Sequence, residues 1–188
     1  MKSAKRDGQA AWLTTVGMLA ALIFVGNYLR VPFMGTKLTG VNALCVLAGL
    51  LIGPIGGFWA AGIGSLFYDI LSGYGLESLI TFVSKGAIGL VAGLIAYRAA
   101  HRAPFGSTQR LRVVLGAVLG SFTYVALYML KTFVLGLTMR GLTMDATLLS
   151  MASKFPGSAI NALFASVAGP LLFFALRPAL SRAGLWRD

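Results

Sequence analysis

Six stretches of this chain are apolar for long enough to cross a lipid bilayer, and that leaves the backbone almost no conformational choice. A span of about 20 residues meets no water that could bond its amides, so it must close those bonds within itself, as a helix does. The expected spans are 10–29, 38–52, 54–71, 77–97, 111–137 and 143–176. Only Gly53-Pro54 separates the second from the third, which predicts a tight turn there. The sixth exceeds one crossing and carries Pro156-Gly157 and Gly169-Pro170, where the helix should kink or begin as a piece lying along the surface. The fold class is therefore an all-α integral membrane protein, a six-helix bundle forming one domain over residues 1–188.

Charge composition agrees, with 11% charged residues against the roughly 25% of soluble domains, and the positions of those charges orient the bundle. With the N-terminus inside, Lys2, Lys5, Arg6, Arg98, Arg102, Arg110, Arg112, Arg177, Arg182 and Arg187 flank spans on the cytoplasmic side, and only Arg30, Lys37 and Arg140 lie outside. Basic residues concentrate on the cytoplasmic side of membrane proteins, so both termini are expected in the cytoplasm. The net charge of +11 follows from this topology and gives no arm or face for a nucleic acid. The outer segments are the loop 30–37, the turn Ser72-Gly73-Tyr74-Gly75 and the loop 138–143. The apolar run after Lys5 and Arg6 is longer than the 7–15 residues of a signal-peptide core and no small-x-small site precedes Arg30, so it reads as a retained first span.

Against this apolar background, Lys85, Lys131 and Lys154 are expensive. A lysine in mid-membrane costs about 2.5–3.5 kcal/mol on insertion scales, so three of them imply a wet cavity or a bound partner. On the helical rise, Lys85 falls roughly 12 Å, Lys131 about 9 Å and Lys154 roughly 16 Å below the outer surface, all in one half of the bilayer. Each lysine continues a polar stripe at helical spacing: Glu77, Thr81, Ser84 and Lys85; Tyr124, Tyr128 and Lys131; Lys154, Ser158 and Asn161. Tyr68 and Asp69 join at similar depth from the third span. Cations, hydroxyls and tyrosine rings around an outward-opening cavity suit a flat polar ring, including one that bears a carboxylate or phosphate. Structural readings stand beside this one: one lysine pairing with Asp69, and Lys131 snorkelling to the outer surface.

Catalysis lacks its parts. Asp7 and Asp188 are terminal, Glu77 and Asp145 flank outer loops, and the single His101 belongs to the cytoplasmic face, so no nucleophile with a base in reach can be assembled. One cysteine, Cys45, excludes a disulfide framework and a cysteine-built metal site, and neither metal nor cofactor is expected. No nucleotide-binding motif or soluble domain accompanies the spans, so energy must come from a gradient or from another subunit. The Gly53–Gly57, Gly89–Gly93 and Gly116–Gly120 pairs read as close helix packing, and no matching halves of a repeat are visible.

The stretch from Val41 to Tyr97 carries a resemblance: an apolar run ending in Gly53-Pro54, a glycine-rich helix ending in Asp69, the turn Ser72-Gly73-Tyr74, and Lys85-Gly86 in the next helix. This pattern resembles the substrate-binding S components of energy-coupling factor (ECF) transporters, which import vitamins and related micronutrients, in the branch with riboflavin-like, pyridoxine-like and hydroxymethylpyrimidine-like members. The resemblance implies six helices, cytoplasmic termini, and an outward pocket closed by the loop between the first two helices and lined by Lys85, Lys131, Lys154 and their stripes. It also implies a transmembrane coupling subunit and two cytoplasmic ATPases as partners. A small-residue motif on the first helix, here Gly17 to Ala21 with Ala20 beside it, would dock on the coupling subunit. Two other readings remain: a self-sufficient secondary transporter using Asp69 as proton carrier, and a purely structural membrane subunit.

Overall fold

A computed structural model of the protein describes residues 2–33, 36–75, 77–101 and 106–182, with side chains described from residue 9 onward except at 180 and 181. In chain order the elements are helix α1 (Lys2–Gly26), strands β1 (Arg30–Phe33) and β2 (Thr36–Thr39), and helices α2 (Val41–Leu71), α3 (Glu77–Ala100), α4 (Ser107–Thr138) and α5 (Met144–Arg182). Five helices among the described residues are long and apolar enough to cross a membrane.

The boundaries differ from expectation at the first connection. Helix α1 stops at Gly26, and the chain then forms an antiparallel hairpin in which Pro32 pairs with Lys37 and Phe33 with Thr36. Leu38 and Thr39, expected to open a span, belong to β2. Val31, Phe33 and the threonines favour extended backbone, and Pro32 is tolerated because a two-stranded sheet consists of edges.

Where two spans were expected, α2 is one element broken at Gly53. Its φ of 84° lies in the left-handed region open to glycine, and Pro54 follows with no N–H to continue the ladder. In a straight helix Gly49 and Gly57 would stand about 12 Å apart. Here a Cβ on Gly57 would lie 2.6 Å from the Cα of Gly49, so the arms 41–52 and 54–71 fold back on each other. Helix α5 differs in the other direction. It stays one helical element of 39 residues through Pro156, Pro170 and Pro178, with no separate first piece.

The reversal at Gly53 brings backbone against backbone. A Cβ on Gly49 would strike the carbonyl oxygen of Gly89, one on Gly89 would strike that of Gly57, and one on Gly93 would come within 2.6 Å of the Pro54 nitrogen. Both arms of α2 thus lie backbone to backbone on α3. Gly116 and Gly120 seat α4 on Ala92, Ala96 and Ile88 in the same way. Around these contacts sits a core of Ile23, Val46, Leu50, Ile88, Val113 and Phe173, while Leu94, Leu115, Leu163 and Val167 stay exposed on the outer faces of the bundle.

The two ends of the bundle differ. One carries the hairpin, the turn after Leu71 and the loop after Thr138. At the other, Gly53 packs on Tyr97, and the Nδ1 of His101 lies 2.9 Å from the Tyr97 carbonyl oxygen. The basic residues Arg98, Arg110, Arg112, Arg177 and Arg182 sit on helix segments at this second end. Arg102, Arg187 and Asp188 lie outside the described residues, as do the side chains of Lys2, Lys5, Arg6 and Asp7.

Replacing Gly89 by Ala forces a methyl group into backbone and should cost about 1–3 kcal/mol. A Cβ on Gly17 meets nothing within 4 Å. The thermal midpoint in detergent should therefore fall for Gly89→Ala and hold for Gly17→Ala, and equal midpoints would refute the backbone contact.

Candidate ligand-binding site

At the hairpin end, the arm 54–71 of α2 and helices α3, α4 and α5 leave a cavity of about 480 Å³ beneath β1 and β2. That volume lies within the range of roughly 300–1,000 Å³ typical of small-molecule sites. Lys85, Lys131 and Lys154 all line it, together with Tyr124, Tyr128, Thr81 and Asp69.

Each lysine is accommodated differently. Lys85 is buried, with 5% of its surface exposed. Its ammonium donates a hydrogen bond to Asn42 Oδ1 and lies 4.6 Å from the centroid of the Tyr124 ring. Tyr124 stacks in turn on Tyr128, one helical turn along α4, at 5.7 Å and an interplanar angle of 19°. Lys131 pairs with Glu77 at 2.9 Å, and Arg140 holds the other carboxylate oxygen of Glu77 at 3.3 Å. Lys154 is half-buried, and its ammonium makes no hydrogen bond or ion pair to any described residue. The Asp69 carboxylate likewise has no such partner among the described residues, and the residue lines the cavity. The pairing expected between a lysine and Asp69 is thus not an ion pair among the described residues, and Lys131 pairs instead with Glu77.

The rim is aromatic and basic. Arg30 stacks over Tyr68 at 4.9 Å and Lys37 over Tyr74 at 4.5 Å. Lys37 also donates to the Tyr74 hydroxyl, and this bond, which favours the phenolate, holds Tyr74 below its ordinary value.

Three expected site residues do not reach the cavity. Ser84 and Ser158 bond back to the carbonyls of Ile80 and Lys154, at 2.5 and 3.1 Å, which satisfies a hydroxyl locally in an apolar helix. Asn161 clamps the hairpin: its Nδ2 donates to the Lys37 carbonyl at 2.7 Å, and its Oδ1 accepts from the Thr39 N–H at 2.9 Å. Gly157, one turn earlier on α5, leaves room for Thr36 and Phe33 to approach. On α1, Gly17 and Ala21 face outward, whereas Ala20 is buried where Gly64 meets its carbonyl oxygen.

Sequence reasoning missed Asn42 and Tyr74, and it named Arg30 and Lys37 only as the bounds of the loop implied to close the pocket. Asn42 carried a signal, being the one amide in the first arm of α2. Glu77 was read as part of a stripe, and its bridge between Lys131 and Arg140 depends on loop geometry that spacing does not reveal.

A family model described as "ECF-type riboflavin transporter, S component" matches residues 10–178 of the chain. An "uncharacterized protein in gap 3'region" of Pyrococcus woesei is 32% identical over 108 residues, which is 56% of this chain and 67% of that protein. Among solved structures, the S component of a bacterial ECF transporter superposes with a TM-score of 0.67 at 18% identity, covering 92% of this chain and 98% of its own. At that identity the likeness is one of fold.

Asn161→Ala removes both bonds that tie β2 to α5. At about 0.5–1.5 kcal/mol each, their loss should speed hydrogen exchange at the Thr39 amide by roughly tenfold or more, read by mass spectrometry. Unchanged protection would show that the hairpin is held elsewhere.

Proposed function

The chain belongs to the family of ECF-type riboflavin transporter S components, and from that premise we propose that it captures a vitamin-like micronutrient in the cavity beneath the hairpin. Members of the family are membrane-embedded substrate-binding subunits of ECF transporters, so the protein is a transport component and not an enzyme. In this reading it hands its ligand to a transmembrane coupling subunit powered by two separate ATPases. It lies in a prokaryotic plasma membrane with both termini in the cytoplasm, and the break at Gly53 makes six crossings from five helical elements.

The observation that carries the reading is convergence: seven of the ten residues expected to bind substrate line one cavity, drawn from four helices far apart in sequence. A preassembled, partly apolar pocket at one end of a bundle is what a high-affinity capture subunit requires. The stacked pair Tyr124 and Tyr128 offers a platform for a planar heterocycle of the riboflavin kind, and Lys85 and Asp69 offer a donor and an acceptor for its ring edge. The outward pair Gly17 and Ala21 on α1 suits close approach of a coupling-subunit helix. Arginines at the Gly53 end support the cytoplasmic placement of that end.

Asp69, with no ion-pair partner among the described residues, keeps the secondary-transporter reading in play. Reconstitution of the chain alone in liposomes separates the two. No gradient-driven flux is expected, and flux without ATPases would overturn the subunit reading. Lys85→Ala and Lys154→Ala should each weaken binding of the co-purifying ligand by about tenfold, ~1.4 kcal/mol, while the thermal midpoint reports on folding. Unchanged affinity in both variants would remove the lysines from the site.

A further inference from the structure

Resting on the binding-subunit reading, we propose that the ligand carries an anionic group, a carboxylate or phosphate, held in the outer part of the cavity among Lys131, Arg140 and Lys154, with its ring deeper on Tyr124 and Tyr128.

Charge is unevenly distributed in the cavity. Six cationic side chains line it, Arg30, Lys37, Lys85, Lys131, Arg140 and Lys154, against Asp69 and Glu77. The inner part is close to balanced, because Lys85 is bonded to Asn42, covered by Tyr124 and within electrostatic range of Asp69. The outer part is not. Glu77 gives one oxygen to Lys131 and the other to Arg140, so a single negative charge is shared between two positive ones. Lys154 lies within electrostatic range of all three and adds a third cation that no described carboxylate pairs. The cluster therefore holds a surplus of two positive charges, partly withdrawn from water.

Such a cluster repels itself when empty, and an anion between its members removes that repulsion. The donors are available: an ammonium has three N–H groups and a guanidinium five, so Lys131 and Arg140 retain free N–H groups after bonding Glu77. The partial burial of Lys131 and Lys154 strengthens each contact relative to bulk water. A neutral ring of the same shape would fill the cavity and leave the surplus uncompensated.

Helix α4 fixes the order of these parts. Tyr124, Tyr128 and Lys131 lie on successive turns, which places Lys131 about 10 Å beyond Tyr124 on the way to the loop that carries Arg140. An anion in the outer cluster and a ring on the tyrosine stack are thus separated by one or two helical turns, the reach of a short substituent or chain on a vitamin-sized molecule.

The test is calorimetric titration of the full-length protein with matched pairs: riboflavin and flavin mononucleotide, pyridoxal and pyridoxal 5'-phosphate, nicotinamide and nicotinate. In any pair that binds, the anionic member should bind at least about tenfold tighter at low salt, and the advantage should shrink as salt screens it. Lys154→Gln and Arg140→Gln should each reduce that ratio by about threefold or more, and Lys154→Arg should restore it. The phosphate pairs and the carboxylate pair distinguish the two kinds of anion. A neutral member that binds as tightly as its anion, a ratio unmoved in both Gln variants, or a co-purified molecule that is uncharged at neutral pH would overturn the charge assignment alone. If no member of any pair binds and mass spectrometry finds no co-purified molecule, the binding-subunit reading falls and takes this proposal with it.

Discussion

Backbone contact between glycines is the constraint on which the rest of the structure depends. Lipid supplies little hydrophobic drive for helices to associate, so association rests on close packing, and only residues without side chains let backbones touch. Gly49, Gly57, Gly89 and Gly93 bring both arms of α2 onto α3 at such distances. The consequence reaches the cavity through helical spacing. Lys85 lies one turn from Gly89 on α3, and Asn42 lies two turns from Gly49 on α2, on the same faces. Close approach at the glycines is what allows the Lys85 ammonium to reach Asn42 Oδ1 at all.

The charges that make the chain costly to insert are handled in graded fashion. Lys85, the most buried, has a neutral acceptor and an aromatic face, an arrangement that solvates an ammonium without spending a second charge. Lys131 has a carboxylate, but one it must share with Arg140. Lys154 has only the cavity. The degree of internal compensation thus falls from Lys85 through Lys131 to Lys154.

Much of this was legible in the sequence, for reasons that also explain what was not. Apolar runs of span length force helices, so the helical architecture followed from hydropathy alone. Lysines in such runs are conspicuous because of their cost, and all three lead to the cavity. Hydroxyls are inconspicuous for the opposite reason. Ser84 and Ser158 satisfy themselves on the preceding turn, so helical spacing placed them in a stripe that their bonding does not use. Asn161 looked like part of the same stripe, yet its amide matches a strand edge, and the strand itself was hidden because four residues on either side of a turn leave almost no periodic signal. The span count shows the same limit: Gly53-Pro54 announces a turn, but α5 carries a comparable Pro156-Gly157 and runs on as a helix. Proline beside glycine marks where a helix is able to break, and the neighbouring packing decides whether it does.

Helix α1 stands apart from the rest in a way that bears on how a capture subunit would work. Among the described residues none of α1 lines the cavity, whose walls come from α2, α3, α4, α5, the hairpin and the Asn27 that leads into it. Only 17% of the apolar window of α1 is buried, against 61% for α2. Its inner face, with Ile23 and the Ala20 contact to Gly64, holds it to the second arm of α2, while Leu13, Met18, Leu22 and Val25 stay exposed. Gly17 and Ala21 make a flat strip on that outer face, on the side that Ala20 does not use. The cavity and the proposed docking strip therefore fall on different helices, joined through α2. A partner gripping α1 would not have to touch the cavity walls, and would act on the ligand through the loop that leads directly from α1 into the hairpin roof. Asn27 and Arg30, the first residues past α1 to line the cavity, are where such a pull would be felt.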